Sequence, residues 1–194
     1  MRLAIFPLGS LLFPGGTLAL KIFEQRYTDM AKASLKTGAP FGICLIREGV
    51  EVGNPAIPET VGTLATIEDW QMPQLGILQV AVKGASRFRI VEREVTAGGL
   101  IVAHTELIAD DKTVPGRAQS VCATFLAKIY AANGVDVKQS QLLFDDAFWL
   151  GMRLTEMLPL TNPIKQKMLE LTDATMRLEV LQRFLSDRRL IPAP

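Results

Sequence analysis

The hydrophobic period changes near residue 115, and this change constrains the fold of the chain more than any other feature. Up to about residue 108, short apolar runs are separated by glycine or proline, a pattern typical of β-strands. Beyond Pro115 and Gly116, apolar residues recur at helical spacing. The sequence therefore predicts a β-rich part over residues 1–110 and a helical part over residues 111–194, joined at a polar segment, residues 109–116, that ends in Pro-Gly.

The first part is predicted to contain seven strands and one inserted helix. The strands fall at residues 2–6, 17–23, 41–47, 61–69, 75–83, 86–95 and 99–108. The helix follows Phe23, because Tyr27, Met30 and Ala31 recur at helical spacing and Gly38 supplies a stop signal. The predicted fold class is therefore α+β.

The second part carries clear helix boundaries. One helix ends at Asn133 and Gly134, another begins behind Asp145, and a third opens at Asn162 and Pro163. The last helix spans about residues 173–187, and its apolar stripe is predicted to be packed core. The stripe consists of Leu178, Leu181 and Leu185.

Composition excludes several classes of function. The formal net charge is +1, which argues against a partner held mainly by phosphate contacts. No Gly-Lys dipeptide and no G-x-G-x-x-G motif occurs, so the sequence predicts neither a Walker A loop nor a dinucleotide site. We therefore expect neither nucleotide-driven work nor a bound cofactor.

The residues that carry acid-base or metal chemistry are few and scattered. His104 is the one histidine and lies in an alternating strand, where a structural role is favoured over a general base. Cys44 and Cys122 sit among apolar residues, and reduced core thiols are favoured over a disulfide. The paired carboxylates are adjacent in sequence and are interpreted as loop charge or helix caps. No metal site is predicted.

The apolar amino terminus does not predict export or a membrane span. Proline and glycine interrupt it from Pro7 to Gly16, and no unbroken apolar run is long enough to cross a bilayer. We expect a cytoplasmic protein without a membrane partner.

Two apolar stretches are candidates for binding another protein. Leu12 and Phe13 fall in a predicted loop, and Trp70 and Met72 lie beside Pro73 between two predicted strands. Exposed apolar loops favour polypeptide binding. The alternative is that both loops fold back onto the core or onto the helical part.

The stretch from Gly84 to Arg93 has two interpretations of its own. "GASRF" has the first half of a nucleophile elbow, but Phe88 replaces the second glycine, and a hairpin turn is favoured. Arg87, Arg89 and Arg93 alternate with apolar residues and are predicted to line one strand face. A solvated face is the default interpretation, and nucleic-acid contact is the alternative.

Three motifs, in order, resemble one known family. "FPLGSLLFPGGTLALKIFEQRYTDM" is similar to the opening signature of the Lon substrate-binding domain, the amino-terminal domain of Lon proteases, which also occurs alone in small bacterial proteins. "VGTLATIEDW" and "LQVAVKGASRFRIVE" resemble the family's glycine-started strand and the G-x-x-R-F segment after it. "LPLTNPIKQKMLELTDATMRLEVLQRFL" resembles the family's helical end, and the resemblance covers about residues 3–187.

The resemblance implies a PUA-like β pseudobarrel with a helix inserted after the second strand, followed by a carboxy-terminal helical bundle. Glu24, Arg26 and Tyr27 match the family's motif as scaffold residues. In the protease this domain engages polypeptide substrates, whereas the ATPase module and the Ser-Lys peptidase domain lie downstream and are not expected in this chain. The resemblance therefore implies a stand-alone, ATP-independent, non-catalytic protein that binds an unfolded or partner polypeptide. An RNA-binding PUA-like protein is the alternative, and a small-molecule or enzymatic role needs a convergent polar pocket in the barrel.

Overall fold

The computed structural model describes residues 1–109, 116–135 and 143–191. The chain divides into two compact units, Met1–Ile108 and Ala109–Pro194. The first is built mainly of strands and the second of helices, so the predicted α+β class is confirmed. Residues 110–115, which hold most of the predicted polar junction, lie outside the described residues.

The first unit contains seven strands, and one helix lies between the second and third of them. The helix α1 spans Gln25–Thr37 and ends at Gly38, whose φ of 70° is the left-handed conformation that glycine adopts readily. The strands are β1 (Arg2–Leu8), β2 (Thr17–Ile22), β3 (Phe41–Glu48), β4 (Ile57–Pro58), β5 (Val61–Gln74), β6 (Ile77–Val95) and β7 (Ile101–Leu107).

Five strands close into a barrel. Their order is β1, β7, β6, β5 and β3, and a parallel pair that includes Ile5 and Gly42 joins β3 back to β1. The other four contacts around the ring are antiparallel. Closure leaves these strand segments without open edges.

Phe88 of β6 lies fully buried inside the barrel, and two glycines make room for its ring. A Cβ atom at Gly42 would lie 2.6 Å from the ring carbon Cζ of Phe88, and one at Gly62 would lie 2.8 Å from the same atom. Both distances are too short for ordinary packing. The ring is enclosed by small and aliphatic residues of the same cluster, Leu3, Ile5, Cys44, Leu64, Ile101 and Ala103.

The remaining parts of the long strands form a three-stranded extension, here called the arm. It consists of β2, residues 66–74 of β5 and residues 77–83 of β6, with β6 in the middle. Side chains alternate between the two faces of the arm. Its inner face is packed in one hydrophobic cluster with α1, through Leu20, Ile22, Leu78, Val80 and Val82 on the strands and Tyr27, Met30 and Ala31 on the helix.

The predicted hairpin turn at "GASRF" is wrong. Residues 77–95 form one continuous strand, and Gly84 faces the bend that leads into β2. Gly15 N–H donates to Gly84 O over 2.7 Å, Gly84 N–H donates to Gly16 O over 2.8 Å, and the φ of Gly15 is 76°. This is a β-bulge with a left-handed glycine. A Cβ at Gly84 would collide with the Phe13 carbonyl, so the glycine serves a close approach of two backbones.

The second unit contains four helices within the described residues. They are α2 (Arg117–Ala132), α3 (Ala147–Met157), α4 (Asn162–Glu170) and α5 (Ala174–Asp187). The predicted leucine stripe of α5 is buried, which confirms it as core. The N-cap of α3 is Asp146, whose carboxylate accepts the Trp149 N–H over 2.9 Å, so the predicted start at Asp145 is wrong by one residue. No helix in the described part of the chain is long and apolar enough to cross a membrane.

Arg177 is a buried cation in this helical unit, and it closes the end of α4. Its Nε atom donates to Met168 O over 3.0 Å and its Nη2 atom donates to Leu171 O, so it satisfies carbonyls that a helix end leaves without partners. The guanidinium also lies over the ring of Phe148 at 5.4 Å. Gly151 lies beside the arginine side chain, where a Cβ would stand 3.0 Å from Arg177 Cδ.

The close packing around Gly62 predicts that Gly62→Ala destabilises the protein strongly. The added methyl group would lie 2.5 Å from Cys44 Sγ and 2.8 Å from Phe88 Cζ, so strands or rings must move apart. We expect the free energy of unfolding to fall by about 1–3 kcal/mol or more, measured by urea denaturation. Gly98→Ala is the matched control, because a Cβ there meets one atom at 4.0 Å. A change in its free energy of unfolding larger than about 0.5 kcal/mol would contradict the view that the Gly62→Ala loss comes from crowding against Phe88 and Cys44.

The buried stripe of α5 gives a second prediction. Leu181→Ala removes a fully buried side chain and should lower the free energy of unfolding by roughly 2–5 kcal/mol in the same measurement. Val180→Ala on the exposed face of the helix is the control and should change it by less than about 0.5 kcal/mol. Equal effects of the two substitutions would show that the stripe does not face the core.

Candidate functional site

Leu12 and Phe13 are not available as a binding surface. Their side chains are 2% and 1% exposed, and Leu12 packs with the arm and α1. The predicted exposed loop is wrong at these positions because the bulge opposite Gly84 draws residues 12–16 onto β6. The structure shows the alternative arrangement, in which this loop folds back onto the core.

Trp70 and Met72 are exposed, but they lie in β5 rather than in a loop between strands. Their exposed fractions are 54% and 46%, and Leu75 at the adjacent hairpin turn is 93% exposed. Trp70 is paired with Val80 across the arm, which places it on the inner face. We call these three residues, Trp70, Met72 and Leu75, the tip patch.

The three arginines of β6 do not form one face. Arg87 is fully buried, whereas Arg89 and Arg93 are exposed. A bulge between Ile90 and Glu92 shifts the register, so the side chains of Arg89 and Arg93 point to opposite faces of the strand. Arg89 is also paired with Glu106 across β7. The predicted arginine face is therefore wrong, and a continuous basic surface is not formed by these residues.

The residues considered for acid-base and metal chemistry do not form a site. His104 is exposed on β7, with Arg2 and Glu92 as its cross-strand neighbours. Among the described residues, no three histidine, cysteine, aspartate or glutamate side chains are grouped so that they could hold a metal ion. Cys44 and Cys122 are buried free thiols, and burial raises the pKa of Cys122 to about 12. Both thiols are therefore protonated and poorly reactive.

A cleft of about 320 Å³ runs along β2, and we call it the edge cleft. Burial raises the pKa of the Tyr27 phenol, and its ring lies 4.2 Å from that of Phe6, so this part of the wall is uncharged. Phe23, just beyond β2, and Val52 are both more than half exposed at the cleft. The rest of the apolar lining includes Leu8, Leu18 and Leu20, and two carboxylates, Glu24 and Glu51, also border it.

One edge of β2 carries backbone groups that point away from the arm. Within the described residues β2 pairs with β6 alone. Because Gly84 bonds to Gly16, and bonded pairs alternate along an antiparallel ladder, the backbone groups of Leu18, Leu20 and Ile22 face β6. Those of Ala19 and Lys21 therefore face the open edge. Both residues line the edge cleft although their side chains lie on the outer face of the arm.

Arg26 holds the cleft wall in place. Its Nη2 atom donates to Glu24 Oε2 and to Gly53 O, each over 2.7 Å, and its Nη1 atom donates to Gly99 O over 3.0 Å. The guanidinium lies 4.7 Å from the centroid of the Tyr27 ring. One side chain thus ties the start of α1 to two loops. The predicted scaffold role of the Glu24, Arg26 and Tyr27 motif has a direct structural counterpart.

Sequence reasoning did not find the edge cleft. Its floor consists of residues that belong to a strand, and the sequence does not show which strand lies at an edge. The available signals were three apolar residues outside the strands, Phe23, Val50 and Val52, which the structure shows to be exposed. The outward backbone groups of Ala19 and Lys21 leave no signal in residue type, since every residue carries them.

Within the described residues, the first unit thus combines a closed barrel, an arm whose β2 edge is open, and an apolar cleft beside that edge. The family model for the ATP-dependent protease La (LON) substrate-binding domain matches residues 2–187. The chain belongs to this family.

Solved structures agree with that assignment. A Lon N-terminal domain protein from Xanthomonas campestris superposes with a TM-score of 0.76 and 34% identity, covering 93% of this chain and 96% of that one. The N-terminal domain of the Mycobacterium avium complex Lon protease superposes with a TM-score of 0.72, covering 96% of this chain and 99% of that one. Its sequence identity is 17%, so this match supports the fold alone. No match was found among curated protein sequences.

The Arg26 contacts predict a large effect of removing one guanidinium. Arg26→Met keeps the apolar stem but removes three hydrogen bonds, and we expect the free energy of unfolding to fall by about 1.5–3 kcal/mol. Arg2→Met is the control, because its ion pair with Glu94 is mostly exposed and should contribute less than about 1 kcal/mol. Thermal and urea unfolding of both variants would test this prediction. If both substitutions lower the free energy of unfolding by the same small amount, Arg26 does not hold the wall of the edge cleft in place.

Proposed function

We propose that this chain is a non-catalytic protein that binds polypeptide segments through the exposed apolar residues of the arm. The observation that carries the proposal is the tip patch, in which Trp70, Met72 and Leu75 are exposed together around one hairpin. Aromatic and methionine side chains at a surface are typical of protein-binding sites, because they offer large apolar contacts that adapt to different partners. Membership of a family described as a substrate-binding domain supports the same function.

The binding is expected to be weak and independent of nucleotide. Ordering a flexible chain opposes the gain from burying its side chains, so affinity for an unfolded segment stays moderate. The sequence contains no Gly-Lys dipeptide and hence no Walker A loop to couple binding to ATP. Two buried free cysteines suit a reducing compartment, which supports action in the cytoplasm.

The tip patch gives a direct test. Trp70→Ser combined with Met72→Ser should weaken binding of a permanently unfolded polypeptide, such as reduced and carboxymethylated α-lactalbumin, by about tenfold in a fluorescence titration. The melting temperature should stay nearly constant because both side chains are about half exposed. Leu107→Ser is the control, since Leu107 is equally exposed but lies on β7, outside the arm.

Two results would contradict the proposal. If the double variant binds as tightly as the wild type, the tip patch is not the site. If the wild type ignores unfolded polypeptide but binds single-stranded RNA with an affinity that falls steeply with salt, the RNA-binding alternative replaces it. Apolar binding should change little between low and moderate salt.

A further inference from the structure

We propose that the open edge of β2 receives an extended polypeptide segment as an additional strand, with apolar side chains in the edge cleft and a basic side chain beside Glu51. This proposal rests on the proposed function, because it takes the ligand to be polypeptide, and it adds a second contact site and the kind of segment that fits there. It concerns the edge opposite β6, whereas the tip patch lies on β5.

The backbone chemistry of the edge specifies the class of ligand. The N–H and C=O groups of Ala19 and Lys21 point away from β6, and a residue two positions along a strand lies about 6.6–6.8 Å further on. A ligand that satisfies both residues must repeat donors and acceptors at this spacing. An extended polypeptide backbone does so, and strand addition to an open edge is a common mode of peptide recognition.

The shape of the cleft fits a narrow segment. Its volume of about 320 Å³ is at the lower end for a small-molecule site, and it runs beside the strand rather than into the barrel. A peptide paired with β2 would direct every second side chain to the inner face, towards Leu20 and Tyr27, and the others to the outer face. The inner positions should therefore be apolar, and the outer positions polar.

The charges around the edge cleft favour a basic peptide over a second copy of this chain as the ligand. Two carboxylates border the cleft, and the nearby Arg26 is engaged by one of them, Glu24, over 2.7 Å. Glu51 accepts the Gly9 N–H and is exposed, so a lysine or arginine of the ligand can reach it. A second copy would instead bring its own Lys21 to the edge, and a lysine on an edge strand disfavours pairing between identical strands.

The experiment uses the full chain and a synthetic peptide of about seven residues, matched to the six-residue β2, that alternates valine and serine and ends in one lysine. Two N-methylated forms carry the methyl groups on the serine amides or on the valine amides. One form should lose at least about tenfold in affinity by calorimetry and the other should bind as the parent does. The serine form is the blocked one if the peptide runs antiparallel to β2, and the valine form is blocked if it runs parallel.

Protein variants provide the second arm. Ala19→Pro removes an outward N–H without removing a bond to β6, and should abolish peptide binding, whereas Ala19→Val retains the N–H and should bind normally. Hydrogen exchange on the wild type requires no variant: the Ala19 and Lys21 amides should slow at least about tenfold with peptide, while Leu20 is protected already. Glu51→Gln should reduce affinity for the lysine peptide about two- to fivefold, but not for a peptide with norleucine in its place.

The outcomes separate the two proposals. If both methylated forms bind equally, or the Ala19 amide does not slow, strand addition is wrong while polypeptide binding stands. If neither the peptide nor the unfolded polypeptide binds, the proposed function fails and this inference fails with it. If sedimentation shows a dimer that Ala19→Pro dissociates, the edge is covered by a second copy, and that result overturns the proposed occupant.

Discussion

The packing of Phe88 against two glycines is the contact on which the barrel depends. Its ring lies inside the barrel, and Gly42 and Gly62 on neighbouring strands stand where a methyl group would collide with it. A dense interior of this kind tolerates neither added nor missing atoms without cost. The ring therefore sets the separation of β3, β5 and β6, and the closure of β1 onto β3 follows from the same spacing.

The arm forms because β6 extends well past the contact of Phe88 with the two glycines. The strand runs for 19 residues, so the segment before Gly84 projects from the barrel and pairs with β2 and with the end of β5. The bulge at Gly15 and Gly16 fixes the register of β2, and that register decides which backbone groups point outward. The surface proposed to bind polypeptide thus arises from backbone geometry that begins with three glycines.

Much of the fold followed from the sequence, but little of the candidate binding surface did. The hydrophobic periodicity and the capping residues predicted α1, α4 and α5, because these signals are local in the sequence. The merged strand β6 was missed, since a glycine before "SRF" has the same appearance in a turn and in a close approach of two strands. The burial of Leu12 and the opposite faces of Arg89 and Arg93 depend on bulges, whose positions are set by pairing between distant segments. Only Trp70 and Met72, among the predicted polypeptide-binding residues, are exposed as expected.

The central claim is that β2 holds a polypeptide by its backbone. The most direct measurement is a set of isotope-filtered nuclear Overhauser effects between a bound valine-serine peptide and the labelled protein. The account predicts contacts from peptide amide and Hα protons to the amide protons of Ala19 and Lys21, repeated at every second residue as in a β-ladder. Contacts confined to the side chains of the tip patch, with none to the backbone of β2, would contradict it.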